Sequence, residues 1–297
     1  MTPVDLAGEG DRLLEIARAS CVAGGFAWLD DDGVPDRSEP LRLWITARMT
    51  HVFALGHLLG RPGCAELVDH GLVGLSDTFQ DREAGDWFAA VRDGRPVGTE
   101  KSAYEYAFVL LAASSAETAG RPGAETLREE AADVFLGRFW SEQDGLSREC
   151  WDRHWRTLDR YRGANANMHA SEAFLAVGDA TGDPAWHRRA LRIVERLVRG
   201  VARAHGWRLP EHFDAQWRPV PAYNEDRPRD PFRPLRGHAG ARSRVVARPD
   251  MARQAGRLPR HPGHAGPPPA AGAHFRPRAA RRRPCIGLTP EEVENAA

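Results

Sequence analysis

The chain has four cysteines (Cys21, Cys64, Cys150 and Cys285), and no two of them share a C-x-x-C spacing. That excludes a zinc-ribbon signature and a disulfide framework, and it fits a reduced cytoplasm. Lysine is almost missing: Lys101 is the only one among 41 basic side chains, a usage expected of a GC-rich gene. No apolar run approaches the roughly 18 residues of a membrane-spanning helix. No charged-then-apolar leader opens the chain, so the expectation is a cytoplasmic protein without a membrane partner. Strand-type alternation is nearly absent. Acids all but vanish from residues 235–284, where Asp250 stands alone against 12 Arg, 8 Pro, 11 Ala and 6 Gly.

That last absence divides the chain. The formal net charge of zero averages two unlike pieces. Residues 1–234 carry 29 basic and 37 acidic side chains, whereas residues 235–284 carry 12 and 1. The division predicts an ordered unit over 1–234 and a low-complexity Arg/Pro/Ala/Gly tail over 235–297. A basic tail can bind nucleic acid. Its prolines, scattered glycines and low apolar content read instead as a disordered, solvated segment, so no nucleic-acid partner is expected.

What is present before residue 234 is helical. Apolar residues recur at helical spacing from about Leu13 and over 41–59, 103–113, 127–139, 168–177 and 186–201. Gly/Pro clusters punctuate them, among them Gly60-Arg61-Pro62-Gly63 and Gly120-Arg121-Pro122-Gly123. The pattern predicts an all-α chain of stacked helical hairpins, either an open solenoid or a closed toroid. The loops pair aromatics with charges, as in Gly25-Phe26-Ala27-Trp28 before Asp30–Asp32 and in Gly85-Asp86-Trp87-Phe88. Such surfaces suit the apolar face and hydroxyl rim of a sugar, although each Trp alone also reads as loop packing.

Three segments carry candidate chemistry. In Leu43-Trp44-Ile45-Thr46-Ala47-Arg48-Met49-Thr50-His51, an arginine sits in an apolar helix and needs an anionic or hydroxyl partner. In Lys101-Ser102-Ala103-Tyr104-Glu105-Tyr106, either tyrosine could offer a hydroxyl to a pocket or pack in the core. In Asn165-Ala166-Asn167-Met168-His169-Ala170-Ser171-Glu172, helical spacing puts Asn165, His169 and Glu172 on one face, where they could hold hydroxyls and move protons. His-x-x-Glu also occurs in metal-binding bundles, but those need a second copy, and none appears; no metal is expected.

Together RLWITARMTHV, KSAYEYAF, NANMHASEAF and EHFDAQWRPVPAYNEDRPRDPFRP resemble the N-acylglucosamine 2-epimerase superfamily, most nearly its D-mannose isomerase and sulfosugar isomerase branch. The resemblance runs from about Phe26 to Pro234. It implies an (α/α)6 barrel, incomplete in this chain, and cofactor-free isomerisation of a mannose-like monosaccharide, mannose to fructose, through a cis-enediolate. It implies Arg48 and His169 as catalytic groups. Trp44, Tyr104, Asn165, Glu172 and Arg233 would hold the sugar. It leaves the oligomeric state open.

After Arg233-Pro234 the family continues with a segment like YGVTPGHxLEW, followed later by a second catalytic histidine beside a Trp-Lys pair. This chain has no Trp after Trp217 and no Lys after Lys101. Reading from the second base of the Leu235 codon, with CGN for Arg and TCN for Ser, gives triplets compatible with YGVTPGHxLEW in register. The expectation is a reading frame shifted by one extra base near Pro234–Leu235, and hence a poorly stable, inactive chain.

Three further readings remain at this level. A sugar 2-epimerase would share the enediolate. An α/α-toroid glycosidase would need two paired carboxylates, for which Asp30–Asp32 and Asp86 are available. A helical binding module with a basic tail would bind nucleic acid in a salt-sensitive way.

Overall fold

The computed structural model describes residues 5–230 and Arg233. The expected 235–297 tail lies outside the described residues. Seven α-helices are described: α1 (Leu6–Ala17), α2 (Leu43–Leu58), α3 (Cys64–Val73), α4 (Ala103–Thr118), α5 (Ala124–Val134), α6 (Ala164–Thr181) and α7 (Pro184–Val194). None of them is long and apolar enough to cross a membrane. They form three antiparallel hairpins, α2/α3, α4/α5 and α6/α7, with α4 packed between α2 and α6. The inner helices α2, α4 and α6 make one layer and α3, α5 and α7 the layer outside it.

The sequence accounts for this division. Every α4 residue from Glu105 to Ala116 is buried. A helix apolar on all sides belongs inside. Outer helices α5 and α7 instead keep an apolar stripe, Leu127 and Ala131 in one and Trp186, Ala190 and Ile193 in the other. Each outer helix then widens into a π-helical segment, at Gly74–Thr78, Phe135–Phe139 and Glu195–Ala202.

The two Gly-Arg-Pro-Gly turns make the same connection. Gly60 and Gly120 end α2 and α4 in the left-handed region (φ 74° and 67°), and Gly63 and Gly123 start the next helix there (φ 73° and 80°). In the third hairpin Gly182 ends α6, Asp183 caps α7 by accepting from Ala185 N–H at 2.8 Å, and Pro184 opens the helix. Inner and outer helices meet closely where a side chain is missing. A Cβ on Gly71 of α3 would stand 2.0 Å from Thr50 Oγ1 of α2.

Strand-like patterns are scarce in the sequence, yet short strands organise one end of the fold. Leu41–Arg42 pairs with Ala90–Arg92, Lys101–Ser102 with Cys150–Trp151, and Arg162–Gly163 with His212–Phe213. Strands of two or three residues have no period to read. Each pair ties the entry of an inner helix to the segment that follows the next outer helix. The first N–H of each inner helix is then satisfied from that segment: Leu43 by the Ala89 carbonyl (2.9 Å), Ala103 by Glu149 (2.8 Å) and Ala164 by Glu211 (2.9 Å). Arg42, Ser102 and Gly163, at the caps, make no side-chain cap bond. The repeat thus fixes the N-terminal ends of the inner helices beside one another.

Candidate active site

A cleft of ≈ 290 Å³ opens at those N-terminal ends. Four residues singled out in the sequence line it: Trp44 from α2, Tyr104 from α4, Asn165 from α6 and Arg233. The other three lie further along the same helices, Arg48 on α2 and His169 and Glu172 on α6. Arg48 is buried, with its guanidinium 5.6 Å from the Trp44 ring and 4.9 Å from the Phe108 ring. His169 packs against the same Phe108 (4.5 Å between ring centres) and against Tyr104 (5.2 Å). Its Nδ1 donates to Glu172 Oε2 at 2.9 Å. That bond places the Nδ1 proton and so fixes the imidazole tautomer. Arg48 and His169 therefore share one aromatic neighbour, Phe108.

The structure separates residues that the sequence left equivalent. Tyr104 faces the cleft, whereas Tyr106 is buried and gives its hydroxyl to Asp86. Asn165 lines the cleft, whereas Asn167 is spent on backbone: Oδ1 accepts from Ser147 N–H at 2.7 Å, and Nδ2 donates to Gly163 O at 3.0 Å. His51 donates from Nδ1 to Ser115 Oγ at 2.7 Å, because that hydroxyl already donates to Leu111 O. Burial holds its pKa below that of an ordinary histidine.

Asp86, available in the sequence as a glycosidase carboxylate, is withdrawn from any such role. It is sealed inside, and it accepts from Lys101 Nζ (2.7 Å), Trp155 Nε1 (3.0 Å) and Tyr106 Oη. Asp30 is likewise occupied, accepting from the N–H groups of Asp32 and Val34 in its own loop.

Sequence reasoning missed several cleft residues. Tyr161 and Tyr223 bracket Arg233, whose guanidinium lies 4.1 Å from the Tyr161 ring and donates to Tyr223 Oη at 3.2 Å. Glu149 accepts from Gly163 N–H at 3.1 Å, and burial raises its pKa to about 7. Glu105 is buried at the edge of the cleft, with its pKa pushed up to about 8 chiefly by burial. Glu149 and Tyr161 directly precede two-residue strands and Tyr223 lies in a turn, where no periodic pattern marks them. For Glu105 alone a signal existed, its position next to Tyr104.

The stacked hairpins form an α/α protein with a polar–aromatic cleft at the N-terminal ends of its inner helices. The chain belongs to the N-acylglucosamine 2-epimerase (GlcNAc 2-epimerase) family, whose sequence pattern matches residues 24–244. It is 46% identical over 252 residues to a D-mannose isomerase of Pseudomonas cannabina pv. alisalensis, covering 84% of this chain and 61% of that protein. A D-mannose isomerase of Thermobifida fusca is 50% identical over 231 residues, 77% of this chain and 57% of the relative. A crystal structure of D-mannose isomerase superposes with a TM-score of 0.74 at 27% identity, over 80% of this chain and 61% of that one. The fold is thus the (α/α)6 barrel of this family, of which the described residues supply three inner helices. The chain spans about three fifths of the length of the relatives it matches.

Proposed function

We propose that the family barrel to which these residues belong isomerises a mannose-like aldose to its ketose, mannose to fructose, by proton transfer through a cis-enediolate. The observation that carries the reading is the convergence of Arg48 and His169 on Phe108, on the helices whose Trp44, Tyr104 and Asn165 line the cleft. A proton at C2 of an open-chain aldose is a weak acid. Its removal becomes accessible when the enediolate oxygens meet a fixed positive charge in a dry site. Arg48 supplies that charge. Aromatic rings lie beside its guanidinium, Trp44 at 5.6 Å and Phe108 at 4.9 Å. His169, oriented by Glu172, exchanges a proton at Nε2 or holds a sugar hydroxyl there. Asn165, Tyr104 and Arg233 bind hydroxyls, and Trp44 offers a face to the apolar side of the sugar. The chemistry calls on no cofactor or metal.

The second reading, a sugar 2-epimerase, differs only in where the proton returns. Delivery to C1 gives fructose from mannose, and delivery to the other face of C2 gives glucose. Incubation with D-mannose, followed by separation of fructose from glucose, distinguishes the two. Fructose supports the first reading; glucose alone overturns it.

The residues that the resemblance places after Arg233-Pro234 do not follow in this chain. We infer a shifted frame near Leu235, and with it the loss of the second catalytic histidine. Leu55, Leu58 and Leu59 stand exposed on and beside α2. That supports an incomplete barrel and low stability. The partner proposed is a neutral monosaccharide alone.

A further inference from the structure

We propose that Glu105 is a substrate-binding and specificity-determining residue of the cleft, in which its carboxyl group exchanges a hydrogen bond with one hydroxyl of an uncharged sugar. The inference rests on the reading of this cleft as a sugar site. Glu105 is only 8% exposed, and what remains open faces the cleft. It makes no hydrogen bond or ion pair with any described residue. Arg42, whose charge opposes the effect of burial on it, is engaged with Glu39 at 3.5 Å.

Its place on the helix makes that isolation notable. Ser102 and Glu105 stand in the S-x-x-E arrangement that ordinarily caps a helix start, with each side chain reaching the other's backbone N–H. Here Ser102 makes no cap bond, and the Ala103 N–H is taken by the Glu149 carbonyl at 2.8 Å. The carboxyl is left at the mouth of α4 with its bonding capacity unspent. A buried polar group without a partner is costly. A ligand hydroxyl in the cleft would remove that cost in the bound state.

The surrounding charges set its form. Burial dominates, Glu100 adds to it and Arg42 opposes it, so the carboxyl holds its proton to about pH 8. A protonated carboxyl has one O–H to give and a carbonyl oxygen to receive. That matches a sugar hydroxyl, which also gives and receives. Glutamine reproduces this pattern without titrating; leucine fills the space without it.

The test is an NMR titration of the 297-residue chain with D-mannose at pH 7 and pH 9.5, for wild type, Glu105→Gln and Glu105→Leu, with circular dichroism to confirm folding. Wild-type affinity is expected to fall about tenfold between the two pH values. Glu105→Gln should bind within about threefold of wild type at pH 7 and show a smaller fall, keeping only what Glu149 of the same cleft, with its pKa of about 7, contributes. Glu105→Leu should bind about tenfold more weakly at pH 7, the loss of one buried hydrogen bond. If folded Glu105→Leu binds as wild type does, or if Glu105→Gln keeps the wild-type pH dependence, the role of Glu105 is wrong while the sugar reading stands. If Glu105→Leu fails to fold, the comparison of wild type with Glu105→Gln decides alone. If folded wild type binds no mannose, the sugar reading fails and this proposal with it.

Discussion

Lys101, the only lysine of the chain, donates to Asp86 at 2.7 Å, and both side chains are closed to solvent. Lys101 also reaches Asp81 at 3.3 Å and the Trp87 carbonyl at 2.9 Å, while Arg153 grips Asp81 through two bonds of 2.8 Å. The cluster joins the loop after α3 to the strand that leads into α4. Lys101→Ala should therefore leave Asp86 buried without its cation and destabilise the chain by about 3–5 kcal/mol. Urea denaturation of the variant checks this. A midpoint equal to that of wild type would show the pair to be dispensable.

Asp81 gives the same cluster a pH signature. The Arg153 guanidinium, ahead of Lys101, holds its carboxyl far below the usual range. A carboxylate depressed in the folded state contributes stability that is present above its unfolded pKa, about 3.9, and lost as pH falls further. Asp81→Asn should lower stability at pH 7 and flatten its fall below pH 4. Thermal melts between pH 2.5 and pH 7 read both effects.

Glu105 has the opposite sign. Its folded carboxyl keeps its proton to about pH 8, whereas the unfolded one releases it near pH 4.3. Wild-type stability should fall as pH rises through that window. Glu105→Gln should gain on wild type by on the order of 1–3 kcal/mol between pH 5 and pH 8. Glu149, which titrates at about 7, is common to both chains and cancels in the comparison. Parallel denaturation curves at the two pH values would contradict the assignment.

At Gly71 the two layers approach so closely that a Cβ would lie 2.0 Å from Thr50 Oγ1. Gly71→Ala should cost about 1–3 kcal/mol, the usual range for overpacking a tight contact. A Thr50→Ala background should recover part of it. Melting temperatures of the single and double variants measure the coupling.

The helices were legible in the sequence because their apolar spacing and Gly/Pro boundaries persist over whole turns. The 41–59 and 186–201 patterns fall on α2 and on α7 with its π-helical extension. The extent of α4 was underestimated, since its closing Ser114-Ser115 pair reads as polar although both hydroxyls return to backbone carbonyls one turn back. Asn165, His169 and Glu172 shared a face because helical geometry requires it. Their meeting with Arg48 across Phe108 depends on which hairpins are neighbours, and one chain's spacing does not encode that. Lys101 showed no role in the sequence, because its partners Asp81 and Asp86 lie in a loop 15–20 residues away.

We propose that residues 1–234 belong to a mannose-type isomerase whose remaining site lies in a shifted frame. The direct measurement is ketose formation from D-mannose by two chains, the 297-residue protein and one whose frame is restored at codon 235, with Arg48→Met in the restored chain as control. The account predicts fructose from the restored chain, none from the 297-residue chain, and a loss of about 10²–10³ in kcat for Arg48→Met. Fructose formed by the 297-residue chain, or none from a folded restored chain, would contradict it.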